Sequence, residues 1–161
     1  MDDSFPMTRA GFQKLKDELE QMESVQMPAI AEKIGEARAE GDLRENAEYH
    51  AQREAQGLLQ AKINLLKMKL SKADIIDPST LPKDQVSFGA TVTVKDVDLD
   101  EEEIYTLVGS GEEDYDKGRI LVTSPLGQGL LGKKIGEVAE IPAPKGSYSL
   151  QVVSLNFDYL Q

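Results

Sequence analysis

The sequence has no cysteine, no tryptophan and only one histidine, His50, among its 161 residues. Without cysteine the chain can form no disulfide, no catalytic thiol and no cysteine-based zinc or iron–sulfur site, and one histidine excludes a multi-histidine metal centre. Any metal ion must therefore bind to oxygen ligands. With 6% aromatic residues, an array of stacking platforms for single-stranded nucleic acid is also poorly supported.

Long apolar runs and an excess of positive charge are missing as well. No segment approaches the roughly 20 apolar residues that a membrane-spanning helix needs, and the first eight residues, MDDSFPMT, do not resemble a secretory signal. We therefore expect a cytoplasmic protein with no membrane partner. Because 18 basic and 29 acidic residues give a net charge of -11, nucleic acid is repelled unless a local basic patch opposes this charge, and we expect no general DNA-coating role.

The composition of the chain changes at Pro78. Residues 8 to 77 are rich in Ala, Glu, Lys, Leu and Gln, whereas Val, Thr, Gly, Pro and Tyr become frequent afterwards. Neither a helix nor a central strand can run intact through Pro78 and Pro82. We therefore place a linker at residues 78–82, between an N-terminal domain at 1–77 and a C-terminal domain at 83–161.

Apolar residues at helical spacing predict two helices in the N-terminal domain. They lie three or four residues apart in two stretches: Phe12, Leu15, Leu19 and Met22, and then Leu59, Ile63, Leu66, Leu70 and Ala73. The loop signal between them is Ala-Glu-Gly-Asp at 39–42, so the two helices should form an antiparallel coiled-coil hairpin. Pro28 falls inside the first helix and should kink or restart it.

Alternating β-branched and aromatic residues predict about five strands in the C-terminal domain. They span residues 88–94, 104–108, 120–123, 136–141 and 148–155. Ser124 followed by Pro125 predicts a short helix between the third and fourth strands, since Ser caps helices and Pro favours their first position. The fold class is therefore α+β, with a helical hairpin followed by a small antiparallel sheet and a short helix. The acidic run 96–103 should be a solvated hairpin loop, with a cation site as the alternative.

The densest group of polar side chains lies at the tip of the predicted hairpin, which we define as residues 38–53. Asp42 and Glu45 fit a variant of the capping box, but their remaining lone pairs can also hold one Mg²⁺ ion. Two exposed carboxylates bind Mg²⁺ weakly, so a partner would have to supply further ligands. Three arginines of the tip can pair either with RNA phosphates or with neighbouring glutamates: Arg38, Arg44 and Arg53. Tyr49 either packs between the helices or stacks on a base.

Several strings resemble the Gre family of bacterial transcript-cleavage factors. They are Met-Thr-x-x-Gly-x-x-Lys-Leu-x-x-Glu-Leu at 7–19, Gly-Asp-Leu-Arg-Glu-Asn-Ala-Glu-Tyr-His at 41–50, Phe-Gly-Ala-Thr-Val at 88–92, and Ser-Pro followed by Gly-Leu-Leu-Gly-Lys at 124–133. The resemblance covers essentially the whole chain. It implies that the hairpin is followed by an FKBP-like globular domain.

The resemblance also implies a cofactor of bacterial RNA polymerase that is not an enzyme in its own right. The globular domain would dock at the rim of the secondary channel, and the hairpin would enter it. There Asp42 and Glu45 would share a catalytic Mg²⁺ with the polymerase, which then cleaves the 3′ end of backtracked RNA. A monomer without Mg²⁺ is expected in the free state. By the same resemblance, RNA or active-centre contacts fall on Arg38, Arg44, Asn46, Tyr49 and Arg53, and polymerase docking falls on Ser124 and Pro125.

Two alternatives and one departure from the family pattern accompany this interpretation. A Gre homologue can instead block the channel without stimulating cleavage, although the retained Gly-Asp-Leu-Arg-Glu tip argues against it. A peptidyl-prolyl isomerase is the other alternative, and the scarcity of aromatic residues gives it little support. Gln26 and Met27 stand where many Gre proteins carry a basic pair, which weakens the expected hold on longer extruded RNA.

Overall fold

The computed structural model describes residues 4–41 and 46–160, and the chain divides into two compact units. The first unit contains Phe12–Ala73. The second contains Phe5–Gly11 together with the chain from Asp74 onwards. The domain boundaries at 1–77, 78–82 and 83–161 stay a prediction.

Three α-helices and one π-helical segment make up the helical hairpin. The helix α1 (Arg9–Gln21) leads into a π-helical segment (Met22–Gln26) and then into α2 (Met27–Ala39), and α3 (Ala47–Ser71) follows the tip. Both α2 and the π-helical segment contact α3. The prediction of a helical hairpin is confirmed.

Pro28 lies in the first turn of α2, directly after the π-helical segment. It has no N–H to donate, and its ring clashes with the carbonyl four residues earlier in a regular helix. The helix avoids this clash by forming a wider π-helical turn, in which the N–H of Met27 donates to the carbonyl of Met22, five residues back. Pro28 was predicted to kink or restart the first helix; the helical backbone instead continues past it through the π-helical segment.

The predicted apolar positions of the hairpin are buried in part. The buried ones are Leu15, Leu59, Ile63 and Leu66, whereas Phe12, Leu19, Met22, Leu70 and Ala73 are half-buried. Ile34 and Ala37 of α2 are buried as well. The second helix ends earlier than the spacing predicted, since α3 stops at Ser71 and Ala73 begins a strand. This strand, β2 (Ala73–Ile75), pairs with β1 (Phe5–Met7) in a two-stranded sheet, and the next residue, Ile76, donates its N–H to the carbonyl of Met7 at 2.9 Å.

Five strands form the main sheet of the second unit, in the order β5-β4-β3-β7-β6. Their bounds are β3 (Thr91–Asp96), β4 (Glu102–Val108), β5 (Arg119–Leu121), β6 (Val138–Ile141) and β7 (Tyr148–Asn156). Three neighbouring pairs are antiparallel, as predicted, but β4 and β5 are parallel. The connection returns the chain to Thr106, in the second half of β4, through a 3₁₀ turn that ends at Gly118, whose φ of 71° a side chain would strain.

The core of the second unit lies on one face of this sheet. The short helix α4 (Pro125–Leu130) packs against β5 and β6 and buries Leu130 completely. Its buried neighbours come from every main strand, from the segment before β3 and from the residue after β5: Val86, Phe88, Ala90, Val92, Val94, Leu107, Ile120, Val122, Ala139, Ile141, Leu150 and Val152. The predicted α+β class with a sheet and one short helix is confirmed.

The first predicted strand begins three residues later than expected, at Thr91. A turn occupies its predicted start, because the N–H of Ala90 donates to the carbonyl of Ser87 at 3.0 Å and Gly89 has a φ of 81°. In the part of the chain that the structure describes, no helix combines the length and the apolar character needed to span a bilayer.

Candidate functional site

The predicted site lies at the tip, between the end of α2 and the start of α3. Asp42, Arg44 and Glu45 fall outside the described residues. The structure therefore shows the two helix ends that flank them, and these ends contain the remaining predicted tip residues: Arg38, Asn46, Tyr49 and Arg53.

Asn46 connects the two helix ends through its side chain. Its Oδ1 accepts a hydrogen bond from the backbone N–H of Tyr49 at 3.0 Å, which makes Asn46 the N-cap of α3. Its Nδ2 donates to the carbonyl of Ala37 in the last turn of α2 at 2.6 Å. The N–H of Tyr49 thereby gains a partner that the first turn of a helix lacks, and the carbonyl of Ala37, which also accepts the N–H of Glu40 at 3.2 Å, gains a second donor.

This geometry corrects one expectation from the sequence. The capping box on Asp42 and Glu45 is wrong for α3, since that helix begins at Ala47 and Asn46 caps it. The reason is that Asn is as good an N-cap as Asp and lies three residues before the N–H of Tyr49 that it accepts. The available signal was Asn46 itself, a residue type that favours the N-cap position, and the sequence reasoning missed it.

Arg38 and Tyr49 come together across the hairpin. The guanidinium carbon of Arg38 lies 6.0 Å from the ring centroid of Tyr49, within range of a cation–π interaction. Tyr49 is half-buried, and the ring of His50 lies edge-on to it with centroids 5.5 Å apart and an interplanar angle of 68°. Of the two interpretations of Tyr49, these contacts favour packing between the helices over stacking on a base.

Arg53 is separate from this pair. It is exposed, and its Nη1 donates to Oε1 of Gln56 on the same helix at 3.1 Å. Within residues 4–41 and 46–160, neither Arg38 nor Arg53 forms an ion pair with a carboxylate. The described part of the tip thus presents two exposed guanidinium groups in a chain whose net charge is -11.

Metal ligation can be assessed only for the described residues. They contain no group of three or more histidine or acidic side chains that could hold a metal ion. Asp42 and Glu45 are not among them. Their role as Mg²⁺ ligands stays a prediction.

Ser124 and Pro125 begin α4 in the second unit. The Oγ of Ser124 accepts the N–H of Gly127 at 3.0 Å, and Pro125 occupies the first turn, as predicted. The side chain of Gln128 fixes this helix to the end of β5 by donating to the carbonyl of Val122 at 2.8 Å. Pro125 is exposed, and its predicted part in docking stays a prediction.

Comparison with known families assigns both halves of the chain. Residues 5–75 match the family model "Transcription elongation factor, N-terminal", and residues 81–157 match "Transcription elongation factor, GreA/GreB, C-term". The class is therefore that of the transcription elongation factors that combine these two domains. Within this class, the chain belongs to the GreA/GreB family.

Individual relatives agree with this assignment over nearly the whole length. Transcription elongation factor GreA of Thermodesulfovibrio yellowstonii is 46% identical over 98% of this chain and 100% of its own length. The GreA protein of Brucella anthropi is 50% identical over 96% of this chain and 99% of its own length.

Solved structures also match, at lower similarity. GreA factor homolog 1 of Thermus thermophilus is 24% identical, with a TM-score of 0.45, over 95% of this chain and 99% of its own. The GreA/GreB protein of Nitrosomonas europaea is 20% identical, with a TM-score of 0.43, over 96% of this chain and 100% of its own.

Proposed function

We propose that this protein is a transcription elongation factor that binds bacterial RNA polymerase and stimulates its cleavage of backtracked RNA. The hairpin would enter the secondary channel, and the polymerase would remove the 3′ end of the transcript. The observation that carries this proposal is the position of the acidic pair. Asp42 and Glu45 lie in the short connection between α2, which ends at Ala39, and α3, which begins at Ala47, in a chain whose two halves match the GreA/GreB family.

The donor chemistry of the tip fits Mg²⁺. Asp42 and Glu45 provide carboxylate oxygens, which this ion prefers, and two of them leave most of its octahedral shell to water, phosphate and the polymerase. When bound there, the ion would activate a water molecule and stabilise charge on the scissile phosphate. The protein would therefore complete a catalytic site that belongs to the polymerase, and it would not be an enzyme alone.

The described residues support this role by positioning and by charge. Asn46 ties the last turn of α2 to the first turn of α3, so the two ends of the connection that carries the acidic pair are held together. Arg38 and Arg53 are exposed and offer charge-assisted hydrogen bonds to RNA phosphates. Asn46 itself uses both polar side-chain atoms on the backbone, so we assign it to positioning and not to RNA contact.

We further propose that Ser124 and Pro125 belong to the surface that docks on the polymerase, and that the factor acts as a monomer in the cytoplasm. Ser124 holds the first turn of α4 in place through its cap, and Pro125 stiffens that turn at the surface. Such a surface would be preformed before binding.

A transcript-cleavage assay on stalled, backtracked polymerase tests the proposal. Outer-shell partners of a metal typically contribute 10–100-fold to activity, so removing a ligand by Asp42→Asn or Glu45→Gln should lower stimulated cleavage by at least about 100-fold. Binding to polymerase, measured in parallel, should stay unchanged. The matched control is Glu48→Gln, which removes an exposed carboxylate from the first turn of α3 and should retain cleavage.

Two results would contradict the proposal. Full stimulation by the Asp42→Asn, Glu45→Gln double variant would remove the acidic pair from the mechanism. Inhibition of nucleotide addition by the unaltered protein, with no stimulation of cleavage, would instead identify a channel-blocking homologue.

A further inference from the structure

The second unit contains a cavity of about 410 Å³ at the hairpin formed by β3 and β4. Its apolar floor consists of Val94 and Leu150, which are buried, and the rings of Tyr105 and Tyr148, which are half-buried. In the strand register Tyr105 is opposite Val92, so these side chains lie on the face that forms the core. The cavity is therefore a part of the core face that α4 does not cover, since no residue of α4 lines it.

Three carboxylates surround this apolar floor: Asp96, Glu101 and Glu103. Glu103 is opposite Val94 in the register and so lies on the core face, whereas its neighbour Glu102 is opposite Lys95 on the other face. Glu103 is exposed near the start of β4, so its carboxylate lies at the rim of the cavity and not among the buried side chains. The predicted acidic run 96–103 thus includes the expected loop between β3 and β4, and part of it also lines a cavity.

Tyr105 donates a hydrogen bond to Glu103 through its hydroxyl group. Burial, followed by this hydrogen bond, raises the pKa of Tyr105 well above its ordinary value. The phenol proton is therefore held more tightly than in a free tyrosine. The hydrogen bond places the Glu103 carboxylate at the hydroxyl end of the Tyr105 ring, in the lining of the same cavity.

The electrostatics of the cavity favour a cation. No basic residue of the described chain lines it, and the nearby Lys95 forms an ion pair with Asp100 at 2.6 Å. The three carboxylates do not form a group that could hold a metal ion, a statement that applies to the described residues. Negative charges placed around an apolar surface favour an organic cation that also has an aliphatic part.

We propose that this cavity binds an arginine side chain presented by a protein partner. The aliphatic stem would lie on Val94 and Leu150, while the planar guanidinium would stack on a tyrosine ring and pair with Glu103. Arginine fits better than lysine because its guanidinium stacks on aromatic rings and binds carboxylates through two parallel hydrogen bonds.

Leu99 indicates that the arginine belongs to a peptide segment. This side chain is 66% exposed at the edge of the cavity, and it offers an apolar contact to a residue beside the arginine. A cavity of this volume is also larger than one side chain requires. The inference concerns only the second unit and is independent of the proposed cleavage function.

The test is a titration of the full-length, ¹⁵N-labelled protein with the capped peptide Ac-Gly-Leu-Arg-Leu-Gly-NH₂, followed by NMR. We expect saturable shifts at the amides of residues 94–105 and 148–150. The same peptide with citrulline, a neutral isostere, in place of arginine should bind at least about 10-fold more weakly, since hydrogen bonds to charged groups contribute about 1.5–3 kcal/mol. Argininamide, which lacks the flanking leucines, should bind at least about 5-fold more weakly.

Two neighbouring variants provide a matched comparison. Glu103→Gln and Glu102→Gln remove the same charge from adjacent residues on opposite faces of β4. We expect Glu103→Gln to weaken peptide binding at least about 5-fold and Glu102→Gln to change it less than 2-fold, with the core resonances of both variants unchanged. The proposal is overturned if the peptide does not saturate, if the citrulline peptide or argininamide binds equally well, or if the two variants have equal effects.

Discussion

The helical hairpin and the sheet unit achieve stability in different ways. In the hairpin, α3 buries only Leu59, Ile63 and Leu66 along its 25 residues, and it depends on one narrow seam and on contacts at its ends. In the sheet unit, every main strand contributes to one continuous core. The comparison teaches that side-chain volume should dominate the stability of the sheet unit, whereas individual polar contacts at the helix ends should matter more in the hairpin.

The largest expected effect tests the packing side of this comparison. Leu107 is fully buried on β4, which has a neighbouring strand on each side, so the surroundings cannot collapse and Leu107→Ala should destabilise its unit by about 3–5 kcal/mol. Leu59→Ala, in the hairpin seam, should cost about 2–3 kcal/mol because two helices can move closer. Hydrogen exchange at amides of each unit measures both values in the full chain. Equal losses, or a larger loss for Leu59→Ala, would contradict the comparison.

A smaller expected effect tests the contribution of polar contacts at the helix ends of the hairpin. Asn46→Ala removes the N-cap of α3 and the hydrogen bond to Ala37, and we expect a loss of about 1–2 kcal/mol in the hairpin. Increased hydrogen exchange should centre on the helix ends near Ala37 and Tyr49. Asn64→Ala is the control, since Asn64 lies on the exposed surface of the same helix. A similar loss in both variants would mean that the connection by Asn46 is unimportant.

The smallest effect concerns a polar contact within the sheet unit. Burial, followed by a hydrogen bond to Glu112, raises the pKa of Tyr159 to about 12, whereas an unfolded tyrosine has a pKa of about 10. The folded state therefore holds this proton more tightly, and its stabilising contribution is present below pH 10 and is lost as the pH rises from 10 through 12.

Tyr159→Phe should remove this pH dependence and lower stability near pH 8 by about 0.5–1 kcal/mol. Urea unfolding of both proteins at pH 8 and pH 11 measures the difference. If the difference between the two proteins is the same at both pH values, the interpretation of Tyr159 is wrong.

The parts of the fold that follow from local patterns were predictable from the sequence. Heptad spacing gave the hairpin, and the Ser124-Pro125 pair gave the start of α4. The parallel pairing of β4 with β5 was not predictable, because it depends on the path of the whole connection and not on the strand residues. The strands β1 and β2 are three residues each, too short for alternation to show.

The same difference between local patterns and long-range contacts decides which parts of the candidate site were predictable. The tip was found because its charged residues are close together in sequence. The pairing of Arg38 with Tyr49 was missed because these residues lie on different helices. The cavity beside Glu103 was also missed, because it needs the register of three strands, two of them far apart in the chain.

The π-helical segment at Met22–Gln26 has a consequence for the heptad register of the hairpin. From α1 to the end of this segment, the less exposed positions repeat at intervals of three and four: 12, 15, 19, 22 and 26. Continuing this repeat would place Lys33 and Glu36 on the seam, but the residues buried there are Ile34 and Ala37, each one position later. The wider turn absorbs one additional residue, so α1 and α2 keep two different heptad frames on a single continuous apolar face.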